Sequence, residues 1–285
     1  MRAERLTDSI CYHAEGPFWS SAWGGLRWVD LLAGDVMALR EDGSAERRPT
    51  GSPVVACVRP RAGGGAVLAV EKGFALEDPE GAVTVLPPLW DAPIRMNEGA
   101  VAPDGSFLCG SMAYGATPGA AALWRLHPDG RTERVLEDLT ISNGLAFSAD
   151  GSRAYYVDTP TGRVDVMDWD DAAGLVDRRP FVDVASLGVD GHPDGLTLDA
   201  AGHVWVALHS GSAVIGLDGA GRLAERIEVG ARQVTACAFG GEDLRTLFIT
   251  TSREGLDADD DPQAGSLFTA VPGVQGATDV RAFTG

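Results

Sequence analysis

Four acid or amide side chains recur at related places along this chain: Glu15, Asn97, Asn143 and Asp194. Three of them are followed directly by glycine, and Asn97 is followed by Glu98 and then glycine. Carboxylate and amide oxygens are the ligands that hard divalent cations prefer. If a repeating unit places these side chains around one axis, they form an all-oxygen cation site.

Each Asn or Asp that precedes a glycine also has a simpler interpretation. Asn-Gly and Asp-Gly are common turn dipeptides, because both residues tolerate unusual backbone angles. One such pair alone is better explained as a turn. Four at one register of a repeat favour a shared site.

The elements that would carry these residues are short β-strands. Helical spacing is almost absent, whereas short apolar or alternating runs recur and end at Gly or Asp-Gly turns. Such runs include 26–30, 35–40, 66–70, 106–112, 121–127, 153–159, 163–169, 203–208, 213–218 and 246–252.

The spacing of the units predicts the fold. Equivalent positions fall near residues 15, 56, 98, 143, 194 and 236, and each unit holds about four strand-like runs. Four strands in a repeat of roughly 40–50 residues are typical of a β-propeller blade. We therefore predict an all-β, six-bladed β-propeller forming a single domain over residues 1–285. A pair of β-sandwiches is the alternative, but it leaves the regular spacing unexplained.

Composition limits the partners. The chain has 285 residues, with 41 acidic and 23 basic side chains and a formal net charge of -18. Nucleic acid and anionic membranes would repel such a chain. No signal-like apolar segment begins it, no run is long enough for a membrane span, and its four cysteines form no C-x-x-C pair. These features predict a cytoplasmic protein with free buried thiols, and they leave the oligomeric state open.

Several longer blocks are similar to those of a known family. AEGPFW, RMNEG, ISNGLAFS, PDGLTLDAAGHVWVA and TACAFGGEDLRTLFITTSREG occur in order along essentially the whole chain. Together they resemble the regucalcin/gluconolactonase family, also called senescence marker protein-like. The resemblance implies a six-bladed propeller with one divalent metal in its central channel, and hydrolysis of sugar lactones as the typical activity.

The resemblance also implies roles for individual residues. The metal ligands correspond here to Glu15, Asn143 and Asp194. A substrate-contacting Arg-x-Asn motif corresponds to Arg95 and Asn97.

Two departures from the family concern the substrate. Glu98 stands where the family often has Asp, and we expect it to contact the substrate beside Asn97. Tyr114 and Gly115 stand where some members carry Glu-Glu and use an acid there to bind sugar hydroxyls. This change removes an acceptor for those hydroxyls and adds a ring that could stack on the ligand.

These expectations combine into a mechanism for a small, sugar-derived lactone. A divalent metal, with Ca²⁺ the first choice and Zn²⁺, Mn²⁺, Mg²⁺ or Fe²⁺ also compatible, would polarise the lactone carbonyl and activate a water. Asp194 would accept the proton of that water, and Arg95 would orient the substrate. No G-x-S-x-G elbow of a serine esterase is present. His13 and His192, each two residues before an acid of the site, are either proton carriers or structural histidines.

Two other functions stay open at this point. One is a related metal-dependent hydrolase or ring-modifying enzyme acting on a non-sugar substrate, which the Tyr114 departure favours. The other is a calcium-binding or ligand-binding propeller without turnover. Arg95 weighs against a pure cation site, because a cationic side chain beside the metal would repel it.

Overall fold

The computed structural model describes residues 1–257, 259–277 and 281–285. Within these ranges the chain forms six sheets, each of four strands with antiparallel neighbours. The prediction of an all-β, six-bladed propeller is confirmed. The other regular elements described are 3₁₀ helices at Ser21–Trp23, Leu31–Ala33, Thr159–Thr161 and Val184–Leu187.

The first three blades are consecutive in the chain. Blade 1 contains β2 (Ala14–Ser20), β3 (Gly25–Asp30), β4 (Asp35–Leu39) and β5 (Ala45–Pro49). Blade 2 contains β6 (Val55–Pro60), β7 (Ala66–Val70), β8 (Gly73–Glu77) and β9 (Val83–Val85). Blade 3 contains β10 (Ile94–Val101), β11 (Phe107–Ala113), β12 (Ala121–Leu126) and β13 (Thr132–Leu139).

The last three blades include the closure of the ring. Blade 4 contains β14 (Ser142–Phe147), β15 (Arg153–Asp158), β16 (Arg163–Asp170) and β17 (Gly174–Asp183). Blade 5 contains β18 (His192–Leu198), β19 (Val204–His209), β20 (Ala213–Leu217) and β21 (Leu223–Glu228). Blade 6 contains β22 (Val234–Gly240), β23 (Thr246–Thr251) and β24 (Phe268–Ala270), and its outermost strand is β1 (Glu4–Arg5).

The first strand of each blade lies innermost, around the central axis. Hydrogen bonds join these strands between neighbouring blades, such as Asn97 Nδ2 to the Ser142 carbonyl (2.9 Å) and Thr235 Oγ1 to the Ala14 carbonyl (2.6 Å). The second bond links blade 6 to blade 1. The strands from both ends of the chain therefore meet in one closed ring.

Every innermost strand is bulged at the same place. Its register with the second strand shifts at Glu15/Phe18, Val55/Cys57, Met96/Gly99, Ser142/Leu145, Pro193/Leu196 and Val234/Ala236. A bulge inserts an unpaired residue and re-aims its side chain. This re-aiming occurs near the channel end at which the innermost strands begin, which we call the mouth.

Apolar side chains fill the space between blades. Trp28, Tyr156, Phe107 and Phe268 are among the largest side chains with almost no exposure. No helix in the described ranges combines the length and the apolar character that crossing a membrane requires.

Candidate metal and substrate site

Six residues occupy the equivalent position at the bulges and surround the channel. They are Glu15, Ala56, Asn97, Asn143, Asp194 and Thr235, and all are buried. Four of them are the recurring acid and amide residues that the sequence predicted to surround one axis. The Asn-Gly and Asp-Gly pairs lie within strands rather than in turns.

Asp194 is buried without full hydrogen bonding. Asp194 is only 4% exposed, and its Oδ1 accepts no hydrogen bond from any residue that the structure describes. Burial, followed by the charges of Glu15 and Glu98, raises the pKa of Asp194 well above its usual range. An uncompensated carboxylate of this kind is costly unless a cation neutralises it.

The side-chain amide of Asn143 is oriented by Thr159, which follows the second strand of the same blade and is itself bonded to blade 5. Its Nδ2 donates to Thr159 Oγ1 (3.1 Å), and the Thr159 hydroxyl donates to the Pro193 carbonyl (2.9 Å). These bonds leave Asn143 Oδ1 buried and without a hydrogen-bond partner among the described residues. An oriented amide oxygen that accepts no hydrogen bond is well suited to bind a cation.

Glu15 is held by its own strand and by a histidine. Its Oε2 accepts the Gly16 N–H (2.9 Å), and its Oε1 lies 4.0 Å from His13 Nε2. Burial raises the pKa of Glu15, and the neighbouring His13 opposes that rise. On the other side of the imidazole, Nδ1 lies 2.8 Å from Ser252 Oγ and 3.2 Å from Glu254 Oε2.

Asn97 differs from Asn143 although both occupy the ring. Its Oδ1 accepts Arg95 Nη1 (2.6 Å), and its Nδ2 donates to the Ser142 carbonyl (2.9 Å). Both ends of this amide are therefore engaged within the protein. Arg95 is itself buried, and burial lowers its pKa.

The residues present fit a hard divalent cation. Glu15 and Asp194 supply two negative charges, and Asn143 supplies a neutral oxygen, so the donors are all oxygen. Two of these oxygens, Asn143 Oδ1 and Asp194 Oδ1, accept no hydrogen bond from a described residue. No group of three or more His, Cys, Asp or Glu side chains in the described ranges is arranged as a metal site. The candidate set has only two such residues, because its third member is an amide.

Glu98 lies one residue beyond the ring, on the side away from the mouth. It lines a cavity of about 130 Å³ together with Arg59 and the apolar residues further along the innermost strands. Burial, followed by the charge of Glu15, raises the pKa of Glu98 well above its usual range, and Arg59 opposes this. The predicted contact between Glu98 and the substrate would therefore come from beneath the ring.

Tyr114 lies at the mouth, 48% exposed, and its hydroxyl donates to Glu71 Oε1 (2.8 Å). His192 is exposed and pairs with His209 on the neighbouring strand. His13 therefore lies beside Glu15 of the ring, whereas His192 lies at the exposed edge of the site.

Sequence reasoning missed several residues that support the site: Thr159, Ser252, Glu254 and Glu71. Each directly follows, or lies just beyond, the second strand of a blade, where it reaches the mouth. No periodic signal marks these loop positions. Knowing that second strands end at the mouth would have made them candidates.

Comparisons with known proteins agree with this architecture. A family model described as the SMP-30/Gluconolactonase/LRE-like region matches residues 13–253. The 6-deoxy-6-sulfogluconolactonase of Pseudomonas putida is 34% identical over 272 residues, covering 93% of each chain. The pentonolactonase of Haloferax volcanii is 32% identical over 259 residues, covering 91% of this chain and 87% of that protein.

A solved structure extends the likeness to three dimensions. The crystal structure of a calcium-binding protein, regucalcin, from Agrobacterium tumefaciens superposes with a TM-score of 0.88 at 27% identity. The superposition covers 99% of this chain and 97% of the other. The family match spans well over half of the sequence, including every ring position. This chain belongs to the SMP-30/gluconolactonase/LRE-like family.

Proposed function

We propose that this protein is a divalent-metal-dependent lactonase that hydrolyses a small, sugar-derived lactone. The proposal is carried by one observation about the ring that also holds Glu15. Two of its buried oxygens, Asn143 Oδ1 and Asp194 Oδ1, accept no hydrogen bond from a described residue. The names of the related lactonases from Pseudomonas putida and Haloferax volcanii support the reaction class.

Glu15, Asn143 and Asp194 would hold the metal. A divalent cation bound there supplies Lewis acidity towards a carbonyl oxygen and lowers the pKa of water. Ca²⁺ is our first choice, because the three donors are oxygens and the superposable regucalcin is described as calcium-binding.

Asp194 is the acid best placed to accept a proton from the attacking water. Its Oδ1 has no partner among the described residues, whereas Glu15 Oε2 accepts the Gly16 N–H and Glu15 Oε1 lies 4.0 Å from His13 Nε2. A general base must have a lone pair free to receive the proton. We therefore assign proton transfer to Asp194 and a purely ligating role to Glu15.

Arg95 and Asn97 form the substrate-orienting pair. Arg95 Nη1 is fixed by the Met96 carbonyl (3.0 Å) and by Asn97 Oδ1 (2.6 Å). The remaining guanidinium nitrogens make no hydrogen bond to a described residue. A fork held rigid on one side and free on the other can orient a substrate oxygen with little loss of entropy.

A metal-binding propeller without turnover is the second candidate. The description of the Agrobacterium regucalcin as calcium-binding favours it. It predicts the same cation site and no hydrolysis of any lactone.

Asp194→Asn tests the proposal against a matched control, Asp190→Asn. Asp190 precedes the same strand and is exposed, so it experiences the same chemical change outside the site. We expect Asp194→Asn to lower kcat on an aldonolactone by about 1,000-fold, because it removes both a negative ligand and the base. Asp190→Asn should keep the wild-type rate. Full activity in Asp194→Asn, measured as acid release above the spontaneous rate, would refute the assignment.

A further inference from the structure

Glu71 and Tyr114 meet above the channel although they belong to different blades. Glu71 directly follows β7 of blade 2, and Tyr114 directly follows β11 of blade 3. Innermost strands lead away from the mouth and second strands return to it. Both residues therefore lie at the mouth, where the Tyr114 hydroxyl donates to Glu71 Oε1 at 2.8 Å.

Backbone hydrogen bonds fix this pair to the strand that carries Arg95 and Asn97. The Met96 N–H donates to the Glu71 carbonyl (3.2 Å), and the Tyr114 N–H donates to the Pro93 carbonyl (3.0 Å). The pair thus brackets the beginning of β10. The pair therefore lies beside the strand that carries Arg95, and the charge of Arg95 acts on the Tyr114 hydroxyl.

The pair has a definite hydrogen-bonding polarity. Burial, followed by the contact with Glu71, raises the pKa of Tyr114 to about 12, so the phenol stays protonated and acts as the donor. Glu71 forms no ion pair with a described residue, since the adjacent Lys72 binds Asp91 instead (3.0 Å). Its Oε2 makes no hydrogen bond to a described residue. Glu71 therefore presents a free acceptor lone pair to the mouth.

We propose that Glu71, held in place by the Tyr114 hydroxyl, accepts a hydrogen bond from a ring hydroxyl of the lactone. This inference rests on the proposed lactonase function and names its substrate class as polyhydroxylated lactones. Because Tyr114 and Gly115 replace the acidic pair of some family members, we expected this protein to lack the acceptor for sugar hydroxyls. A carboxylate from the neighbouring blade restores it, and the Tyr114 ring borders the same subsite.

The test compares two six-membered lactones that differ only in their ring hydroxyls, a pentono-1,5-lactone and unsubstituted δ-valerolactone. Glu71→Gln should lower the ratio of their kcat/KM values, hydroxylated over unsubstituted, by about 10-fold to 100-fold. A hydrogen bond to a charged group typically has this strength. The loss should fall on KM more than on kcat, because binding rather than proton transfer is weakened.

Two further variants sharpen the result. Tyr114→Phe keeps the ring but releases the carboxylate, so its ratio should lie between those of wild type and Glu71→Gln. Glu80→Gln makes the same acid-to-amide change at an exposed residue of the same blade, in the loop between β8 and β9, and should leave the ratio unchanged.

The possible outcomes separate this inference from the proposed function. An unchanged ratio in Glu71→Gln, with both lactones hydrolysed, overturns the role of Glu71 and leaves the lactonase intact. Hydrolysis of the unsubstituted lactone alone by wild type also overturns it. No metal-dependent hydrolysis of either lactone by wild type would refute both.

Discussion

Two asparagines at the same register of the ring differ in what their oxygens can do. Asn97 has its oxygen bound by Arg95 and its nitrogen bound to the Ser142 carbonyl. Asn143 has only its nitrogen engaged, by Thr159, and its oxygen is free. Residue type alone suggested two amide ligands. The hydrogen bonds make Asn143 the better candidate for a metal ligand, and they favour the proposed substrate-orienting role of Asn97 with Arg95.

This distinction leads to a prediction about Thr159. Replacing Thr159 by Val keeps the shape but removes the acceptor that orients the Asn143 amide. We expect metal affinity, measured by calorimetric titration of Ca²⁺, to fall about tenfold, since groups that orient a ligand typically matter at this level.

Thr161→Val is the control for this prediction. Thr161 lies in the same 3₁₀ helix but donates to the Asp158 carbonyl (2.7 Å), away from Asn143. Equal affinities in Thr159→Val and wild type would mean that Thr159 does not orient a metal-binding Asn143 oxygen.

The ring residues themselves were visible in the sequence, but their partners were not. Glu15, Asn143 and Asp194 share a register that a repeat pattern reveals. Thr159 and Glu254 reach the site from loops after second strands, where no periodic pattern exists. Whether an amide oxygen is free depends on such partners, so hydrogen-bond state could not be predicted.

At the scale of elements, the innermost strands need glycine where they pack against each other. A Cβ on Gly195 would lie 2.4 Å from the Ala236 Cβ of the next blade, and one on Gly144 would lie 2.6 Å from the Asp194 carbonyl oxygen. Both distances are too short for real atoms. The glycines after Asn143 and Asp194 thus allow these strands to converge closely and bring the two side-chain oxygens towards the channel.

Gly195→Ala should therefore both destabilise the protein and weaken the site. The added methyl group forces β18 away from β22, which we expect to lower the free energy of unfolding in urea by about 1–3 kcal/mol. Metal affinity should fall in the same variant, because Asp194 moves with its strand.

Gly219→Ala supplies the comparison for this prediction. It makes the same substitution in the same blade, at a glycine whose backbone is unstrained and whose Cβ would meet nothing within 4 Å. If both variants had equal stability, close packing at the bulge would not be what holds the strands together.

Strand prediction succeeded where apolar side chains recur and failed where they do not. The run at 66–70 coincides with β7, and 35–40 differs from β4 by one residue. The outermost strands, such as Ala45–Pro49 with its Glu-Arg-Arg, face solvent and carry no apolar pattern. The 51-residue gap before Asp194 arises because β17 is ten residues long and is followed by a 3₁₀ helix.

At the scale of the whole molecule, both ends of the chain stabilise the ring. The two-residue strand β1 pairs with β24, Glu4 opposite Thr269 and Arg5 opposite Phe268. Near the other end, the Phe283 N–H donates to the Pro60 carbonyl in blade 2, and the Phe283 side chain is buried. Strands this short have no periodicity, so the sequence predicted six units without showing how they close.

Several whole-chain expectations stay predictions. These are the single domain over 1–285, the cytoplasmic location, and the absence of nucleic acid or membrane partners. They rest on the spacing of the units, on the net charge of -18 and on the cysteine pattern.

The most direct test of the account is a metal titration of the stripped wild-type protein, with lactone hydrolysis and metal binding followed together. Chelator-treated protein would receive Ca²⁺, Mn²⁺, Mg²⁺, Zn²⁺ or, without oxygen, Fe²⁺, and then an aldonolactone. We predict that hydrolysis rises from the spontaneous rate in step with the first bound equivalent. Hydrolysis that survives complete metal removal would contradict the proposed metal-dependent lactonase. So would one bound metal per chain with no lactone turned over.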